Sequence, residues 1–412
     1  MRRLVALGLV AAVLAGCTST GGPILANAPA PRPSIAPPTA RPAAVQDPLP
    51  IELPRDDGPH DRLTEWWYYT GHLVAVGPQA SPVRHTFGFE FVIFRAERGA
   101  FPTTWASHLA ITDETADTFH YAQRLEVGPS VDRSPRGDDG VPTGFDLALT
   151  GLDPTDPSTV GRPAWSMAGS DGADKLTASL DPAEAAAQST VPMGLDLRLA
   201  TRKPPALHDR DGWIDFGPGG GSYYYSRTDM AARGSLTLGD TTYQVDGSAW
   251  FDHQWGDFIS VGGGGWDWFA VNLDDGTDLT LSLVRDADGS YPLIYGTRVR
   301  PDGTAEHLDR QAFTVKVTGS WTSPATGARY PAGWSIHLPD DLLTIDLSPT
   351  VAAQELDTRA TTGVVYWEGS QKVSGHRGPG RGVAVNGQAY VELTGYGPAG
   401  SAGASGAAAP SP

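Results

Sequence analysis

Short runs of alternating apolar and polar residues, each closed by a turn, recur along most of this chain and leave few folds open to it. They occupy residues 87–94, 145–149, 195–199, 279–283, 313–317, 343–347 and 389–393. A period of two sends successive side chains to opposite faces of a strand, so each run offers one face to a core. The dipeptides Asp275-Gly276, Asp288-Gly289, Asp302-Gly303 and Asn386-Gly387 read as hairpin breaks between runs. Only Pro182 to Gln188 reads as helix. Many strands in meander order predict an all-β protein, built as sandwiches or up-and-down barrels.

The two ends do not share this pattern. Arg2 and Arg3 precede a short apolar run, and Leu14-Ala15-Gly16-Cys17 follows it as in a bacterial lipoprotein signal. Residues 1–17 are therefore expected to be a signal peptide, with a lipid on Cys17 tethering the protein outside the cytoplasmic membrane. Cys17 is the only cysteine, so the mature body has neither disulfides nor thiol chemistry. Residues 18–49 are rich in Pro and Ala and read as a disordered stalk. The tail, 398–412, reads as disordered too. A formal net charge of -17 argues against nucleic acid or an anionic membrane surface as partner. The sequence does not identify a protein partner.

Between the ends there is an internal echo. Trp66-Trp67-Tyr68-Tyr69-Thr70-Gly71-His72-Leu73 aligns with Trp266-Asp267-Trp268-Phe269-Ala270-Val271-Asn272-Leu273. Further on, residues 89–95 align with 279–285, each block ending in an Arg (Arg95, Arg285). Two similar units are expected, over 50–225 and 226–397, with the boundary between 217 and 233.

In order along the chain, several motifs resemble the secreted lipocalin-like family that includes AttH proteins and carotenoid 1,2-hydratases. They are Glu65-Trp66-Trp67-Tyr68-Tyr69-Thr70-Gly71-His72-Leu73, Phe87-Gly88-Phe89-Glu90-Phe91, Ser222-Tyr223-Tyr224-Tyr225-Ser226-Arg227-Thr228 and Ser248-Ala249-Trp250-Phe251-Asp252-His253-Gln254-Trp255-Gly256. Gly265-Trp266-Asp267-Trp268-Phe269, Leu273-Asp274-Asp275-Gly276, Tyr366-Trp367-Glu368-Gly369 and Tyr390-Val391-Glu392-Leu393-Thr394-Gly395-Tyr396 complete the series. The resemblance implies two consecutive lipocalin-like (calycin) antiparallel β-barrels, with an apolar pocket in or between them. It also implies hydratase-type chemistry on long polyene substrates in some members. Where many relatives read Trp-x-Asp-Arg-Glu-Trp, this chain has His253 and Gln254 after the Asp.

Chemistry is expected where four of the twelve Trp cluster with acids, at 250–268. Alternation puts Trp250, Asp252 and Gln254 on one face and Phe251, His253 and Trp255 on the other. Asp252, its carboxyl kept neutral by apolar surroundings, would protonate an alkene, and indole faces at Trp250 and Trp266 or Trp268 would stabilise the resulting cation. His253 is the candidate proton acceptor, although alternation turns it away from Asp252. The competing reading has Asp252 bonded to backbone or an indole N–H as a strand lock. Expected pocket residues are Glu65, Trp67, Tyr68, Glu90, Trp250, Trp255, Trp266, Trp268 and Glu368. For the three glutamates, solvation or a salt bridge is the alternative. Arg95 and Arg285 are expected to cap barrel ends by packing on a Trp.

No metal is expected, because His72, His85, His108, His120, His253, His307, His337 and His376 show no ligand spacing. No Gly-x-Ser-x-Gly elbow occurs in a strand-to-helix context, and the glycines at 262–265 lack a P-loop Lys, so no cofactor is implied. Three functions remain open. One is a tethered binder of a hydrophobic isoprenoid or polyene that also performs hydratase or isomerase chemistry. The others are a non-catalytic carrier of lipophilic ligands and an envelope partner of an exporter.

Overall fold

The structure, a computed structural model, describes residues 47–77, 84–258, 263–380 and 382–397. The expected signal peptide, Cys17 and the expected disordered tail lie outside the described residues. The stalk expected to reach residue 49 gives way to ordered chain by Asp47. That carboxylate pairs with Arg62 at 2.7 Å and accepts from Tyr223 Oη, while Leu49 N donates to the same tyrosine oxygen.

Twenty-four strands make up the described residues, with one short helix, α1, at Pro182–Ala187 where the sequence predicts it. The first half holds β1 (Thr64–Val76), β2 (Thr86–Arg98), β3 (Phe101–Asp113), β4 (Thr118–Val127), β5 (Phe145–Leu149) and β6 (Trp165–Ser170). It continues with β7 (Ala173–Leu180), β8 (Met193–Thr201), β9 (Ala206–Leu207), β10 (Trp213–Asp215), β11 (Gly221–Leu238) and β12 (Thr241–Gly256). In the second half come β13 (Gly263–Leu273), β14 (Asp278–Asp286), β15 (Leu293–Val299), β16 (Ala305–Leu308), β17 (Thr314–Val317) and β18 (Ser320–Thr322). The last six are β19 (Arg329–Pro331), β20 (Trp334–Leu338), β21 (Leu343–Pro349), β22 (Glu355–Asp357), β23 (Val365–Arg377) and β24 (Val383–Thr394).

All pairing between named strands is antiparallel. One large sheet runs β4-β3-β2-β1-β12-β11-β8-β7-β6-β5 and the other β16-β15-β14-β13-β24-β23-β21-β20-β17. In each, the first strand of the unit pairs with the last, β1 with β12 and β13 with β24, so the echo in the sequence is an echo in topology. The expected boundary at 225/226 needs correcting. It falls inside β11, and the first sheet keeps the chain through Gly256 because β12 closes against both β1 and β11. Asn386-Gly387 is no turn either. It lies within β24, where a Cβ on Gly387 would stand 2.2 Å from the Asn272 carbonyl oxygen, a spacing only glycine permits.

Each sheet curls around its own core. In the first, Phe145 of β5 stacks on Phe251 of β12 and Phe91 of β2 meets Trp165 of β6 edge-on, contacts that require the sheet to fold back on itself. In the second, Trp334 of β20 packs edge-on to Phe269 of β13, 5.5 Å between centroids. A third apolar cluster joins the two units. Tyr68, Val92 and Trp250 on the outer face of the first sheet pack against Trp268, Ala270 and Tyr390 of the second. Trp268 meets Trp250 and Tyr68 edge-on at 6.2 and 5.4 Å, and aromatic pairs of this kind contribute about 0.5–1.5 kcal/mol each beyond area burial. The seam is thus held from both sides by the aromatic strands of the echo. Arg95 lies over Trp105 as expected, whereas its counterpart Arg285 lies over Tyr396, 3.9 Å from the ring centre.

Candidate functional site

At this seam the two outer faces separate to leave a cavity of about 90 Å³, several times the space one water needs. Its walls are mostly aromatic: Trp66, Phe94, Phe216, Phe258, Trp266 and Trp268. Polar groups enter through Tyr68, Glu90, Tyr224, Asp252, Tyr366 and Glu392. An apolar hollow with a few convergent polar groups is the usual form of a small-molecule site.

Strand register explains how Asp252 reaches it. On β12, Asp252 stands opposite Tyr68 of β1 and Ser226 of β11, so all three point from the same outer face. Ser226 Oγ and Trp250 Nε1 donate to Oδ1 (the latter at 2.7 Å), and Tyr224 Oη donates to Oδ2 at 2.5 Å. Side chains of the same face therefore hold the acid, and none of these donors is a main-chain amide. Burial pushes its carboxyl up to about 7, against the three donors that favour the charged form. At neutral pH it is poised between proton donor and carboxylate.

Three further acids stand at the seam, Glu90 and Glu368 buried and Glu392 half-buried. Glu90, opposite in direction to the Phe87, Phe89 and Phe91 face of β2, lines the cavity and is neither solvated nor salt-bridged: the second sheet covers it, and it accepts from Tyr366 Oη at 2.9 Å. Glu368 accepts from Tyr68 Oη at 2.7 Å and stands directly across from Glu392 on the neighbouring strand. Burial and the neighbouring Glu392 raise Glu90 to about 8. Burial raises Glu392 to about 7, and burial with the adjacent Glu90 and Glu392 holds Glu368 well above the usual range. Each of Glu90 and Glu368 also has one oxygen (Oε2) with no hydrogen-bond partner. An aromatic hollow edged by carboxyls with raised proton affinity can donate protons, and its indoles can stabilise positive charge as it develops.

The remaining site expectations divide by face. Tyr68, Glu90, Trp266 and Trp268 line the cavity, whereas Trp250 and Glu368 do not line it and stand behind its wall as hydrogen-bond partners of Asp252 and Tyr68. Trp67, Trp255, Glu65 and His253 do not. They point into the first barrel, so His253 cannot serve the acid at 252 as a proton acceptor. There Glu65 Oε1 lies 3.0 Å from His253 Nε2 and 2.7 Å from His60 Nδ1, and His60 Nε2 is 3.4 Å from Asp56. Burial opposes charge on Glu65, but His60 and His253 outweigh it and hold the carboxyl down at about 2. His60, Glu65 and His253 are the described residues whose donor atoms converge enough, within 4.8 Å, to take a cation. His60 lies in a loop ahead of β1, and no spacing in the sequence announces it. His60 stacks on Trp255 and His253 on Trp67, the two imidazoles are tilted 41° to each other, and His253 Nδ1 has no hydrogen-bond partner. Glu65→Gln is expected to lower stability by about 3–5 kcal/mol, as removal of one partner of a buried ion pair does, without changing ligand affinity in the seam. Chemical denaturation and ligand titration of the same variant measure the two.

Tyr224, Ser226, Glu392, Phe216, Phe258 and Tyr295 were not singled out for the cavity. Alternation within Tyr223-Tyr224-Tyr225 could have separated Tyr224 from its neighbours, and Glu392 interrupts the apolar run 389–393 on its outer face.

Comparison with known proteins places this architecture. The family model described as AttH-like matches residues 44–396. A crystal structure of an AttH from Nitrosomonas europaea superposes with a TM-score of 0.68 at 27% identity, covering 86% of this chain and 99% of that one. Kievitone hydratase from Nectria haematococca superposes at 0.59 with 14% identity, covering 84% and 93%. CghA bound to Sch210972 superposes at 0.52 with 13% identity, covering 81% and 89%. A comparison with curated protein sequences found no match.

Proposed function

Because the chain belongs to the AttH-like family, whose fold also carries a hydratase, we propose that it binds an unsaturated apolar small molecule, of isoprenoid or polyene class, in the cavity between its two sheets. There it performs acid–base chemistry of hydratase or isomerase type. The observation that carries this reading is Asp252, a fully enclosed carboxyl balanced near neutrality on the wall of an aromatic hollow.

Asp252 gives its proton to one alkene carbon, and the electron pair of the double bond forms the new C–H bond. The adjacent carbon becomes cationic beside Trp266 and Trp268, whose π faces offset the charge. Water then adds, giving an alcohol, or a neighbouring carbon loses a proton, giving an isomer. Either way one proton returns to a seam carboxylate. Incubation with a lipid extract of the source cells in deuterium oxide tests this. A product carrying carbon-bound deuterium is expected; ligand retained without any such product would make the protein a carrier instead.

The working place of the protein follows from its first residues. We infer a lipid on Cys17 that tethers the two barrels outside the cytoplasmic membrane. Cys17→Ala should move the protein from the membrane fraction to the soluble extracytoplasmic fraction, measured by immunoblot. Unchanged membrane association would refute the tether.

A further inference from the structure

Asp252 is reached from behind as well as from the cavity. Ser226 Oγ, which bonds Asp252 Oδ1, lies 2.7 Å from Nε2 of His208. The other ring nitrogen, Nδ1, lies 2.8 Å from Thr297 Oγ1 on β15, so the line crosses from the first unit to the second. Ser226, His208 and Thr297 are all buried. Directly opposite Thr297, across the β15–β16 ladder, stands His307. Its Nδ1 is 3.2 Å from a carboxylate oxygen of Asp209, which is 36% exposed. A hydrogen-bonded line thus runs from the cavity acid to Thr297 without passing through the cavity, and His307, whose Nδ1 has no hydrogen-bond partner, stands beside its end on the neighbouring strand with Asp209 on the surface side.

An apolar guest in the seam would shut out water, and an acid that must regain its proton would then need another route. We propose that Ser226, His208 and Thr297 relay protons to Asp252 from the His307–Asp209 side while the cavity is occupied. The proposal rests on the reading that Asp252 is the proton donor. With Asp252 ionised, Ser226 donates to Asp252, His208 Nε2–H donates to Ser226, and Thr297 donates to Nδ1. One proton arriving at Thr297 shifts each hydrogen one place along. Thr297 gives its hydrogen to Nδ1, Nε2–H passes to Ser226, and Ser226 passes its own to Asp252. One proton has entered, Asp252 is neutral, every donor has reversed, and the imidazole has changed tautomer without becoming charged.

The surroundings favour that neutral exchange. Burial drives the His208 imidazole down to about 3, and His307 adds to the effect, so an imidazolium is excluded at working pH. The groups facing Asp252 are Tyr224, Tyr295, Glu368 and Glu392, none of which supplies a competing cation. Tyr224 also packs against His208, 3.9 Å between ring centres at a tilt of 37°, and restricts the ring plane. The same order of groups stands behind Glu90. Tyr366 Oη bonds its carboxylate, His108 Nδ1 lies 2.7 Å from that hydroxyl, and His108 Nε2 lies 3.0 Å from Thr361 Oγ1. Burial likewise holds His108 at about 3. Two carboxyls of one cavity, each backed by hydroxyl, neutral imidazole and threonine, indicate a built pattern.

His208 is a positioning residue, and its tautomer is the readout. In the full protein with 15N-labelled histidine, nitrogen NMR should show Nε2–H at pH 9 and Nδ1–H at pH 5, tracking the infrared band of the protonated Asp252 carboxyl. The band is assigned by its loss in Asp252→Asn. Ser226→Ala and Asp252→Asn should each hold His208 in one tautomer at both pH values. If His208 keeps one tautomer in the wild type while the Asp252 band titrates, the relay fails and the acid role stands. A tautomer that still follows pH in either variant also overturns the relay. If Asp252 stays ionised from pH 5 to 9, the relay and the proposed function fall together.

Discussion

Asp252→Asn is expected to abolish turnover, by at least about a hundredfold, the lower end of what a positioned acid contributes, while the fold persists. The amide can accept from Ser226 and Trp250 through its oxygen and can donate to Tyr224, whose hydroxyl accepts as readily as it donates. Stability should not fall, and linkage gives the sign. A carboxyl whose folded value is about 7, against an ordinary value near 4, keeps a proton that the unfolded chain releases. Its ionisation therefore costs stability above about pH 4, a cost complete once the pH passes 7. Asparagine removes that cost, which is on the order of a few kcal/mol for a shift of this size. Circular dichroism and the deuterium assay on one preparation separate the two readings of Asp252. Lost turnover with an unchanged or higher melting temperature identifies a chemical group, and a much lower melting temperature identifies a strand lock.

The second large effect concerns the whole molecule. Glu90 at about 8, Glu392 and Asp174 at about 7, Asp267 at about 6, and the raised Glu368 all hold protons in the fold that the unfolded chain gives up. Burial is the leading cause in each. The depressed acids Glu65 and Glu306, at about 2, work in the other direction but finish their contribution below about pH 5. His108 and His208, held neutral at about 3, add stability as pH rises to their unfolded value near 6.5 and then stop. From pH 6.5 to 8.5 the raised carboxyls act alone, joined by His60, whose raised value is lost in the same direction. Melting temperature should therefore fall by several degrees or more across that window, where a protein whose acids are salt-bridged would stay level. A flat or rising curve would mean that the seam acids are ionised and paired. Glu90→Gln combined with Asp252→Asn should flatten the fall.

Much of this was legible in the sequence. Period-two runs located the strands, and alternation alone placed Asp252 on the face opposite His253. The echo of Trp66–Leu73 in Trp266–Leu273 announced two units whose first strands both meet at the seam. Less visible was which sheet would cover which face. For Glu90 and Glu368 the sequence left pocket and solvent both open, because a polar residue opposite an apolar face ordinarily meets water, and only the docking of one barrel on the other buries them. For the same reason Trp67 and Trp255 were placed in the pocket. A density of indoles marks an aromatic region but does not say which side of the strand holds the guest. Nor does a sequence show that β11 and β12 return to close the first sheet, since that depends on pairings with β1 nearly two hundred residues earlier.

The account depends on a hollow between the sheets that takes an apolar guest, and native mass spectrometry of protein purified from its own cells tests this most directly. The wild type should carry a hydrophobic molecule, and Ser282→Phe, which fills the cavity wall from β14, should carry none while keeping the same circular dichroism. If neither protein retains a ligand, or if the folded, filled variant retains it equally, the seam is a packing surface and the proposed chemistry has no site.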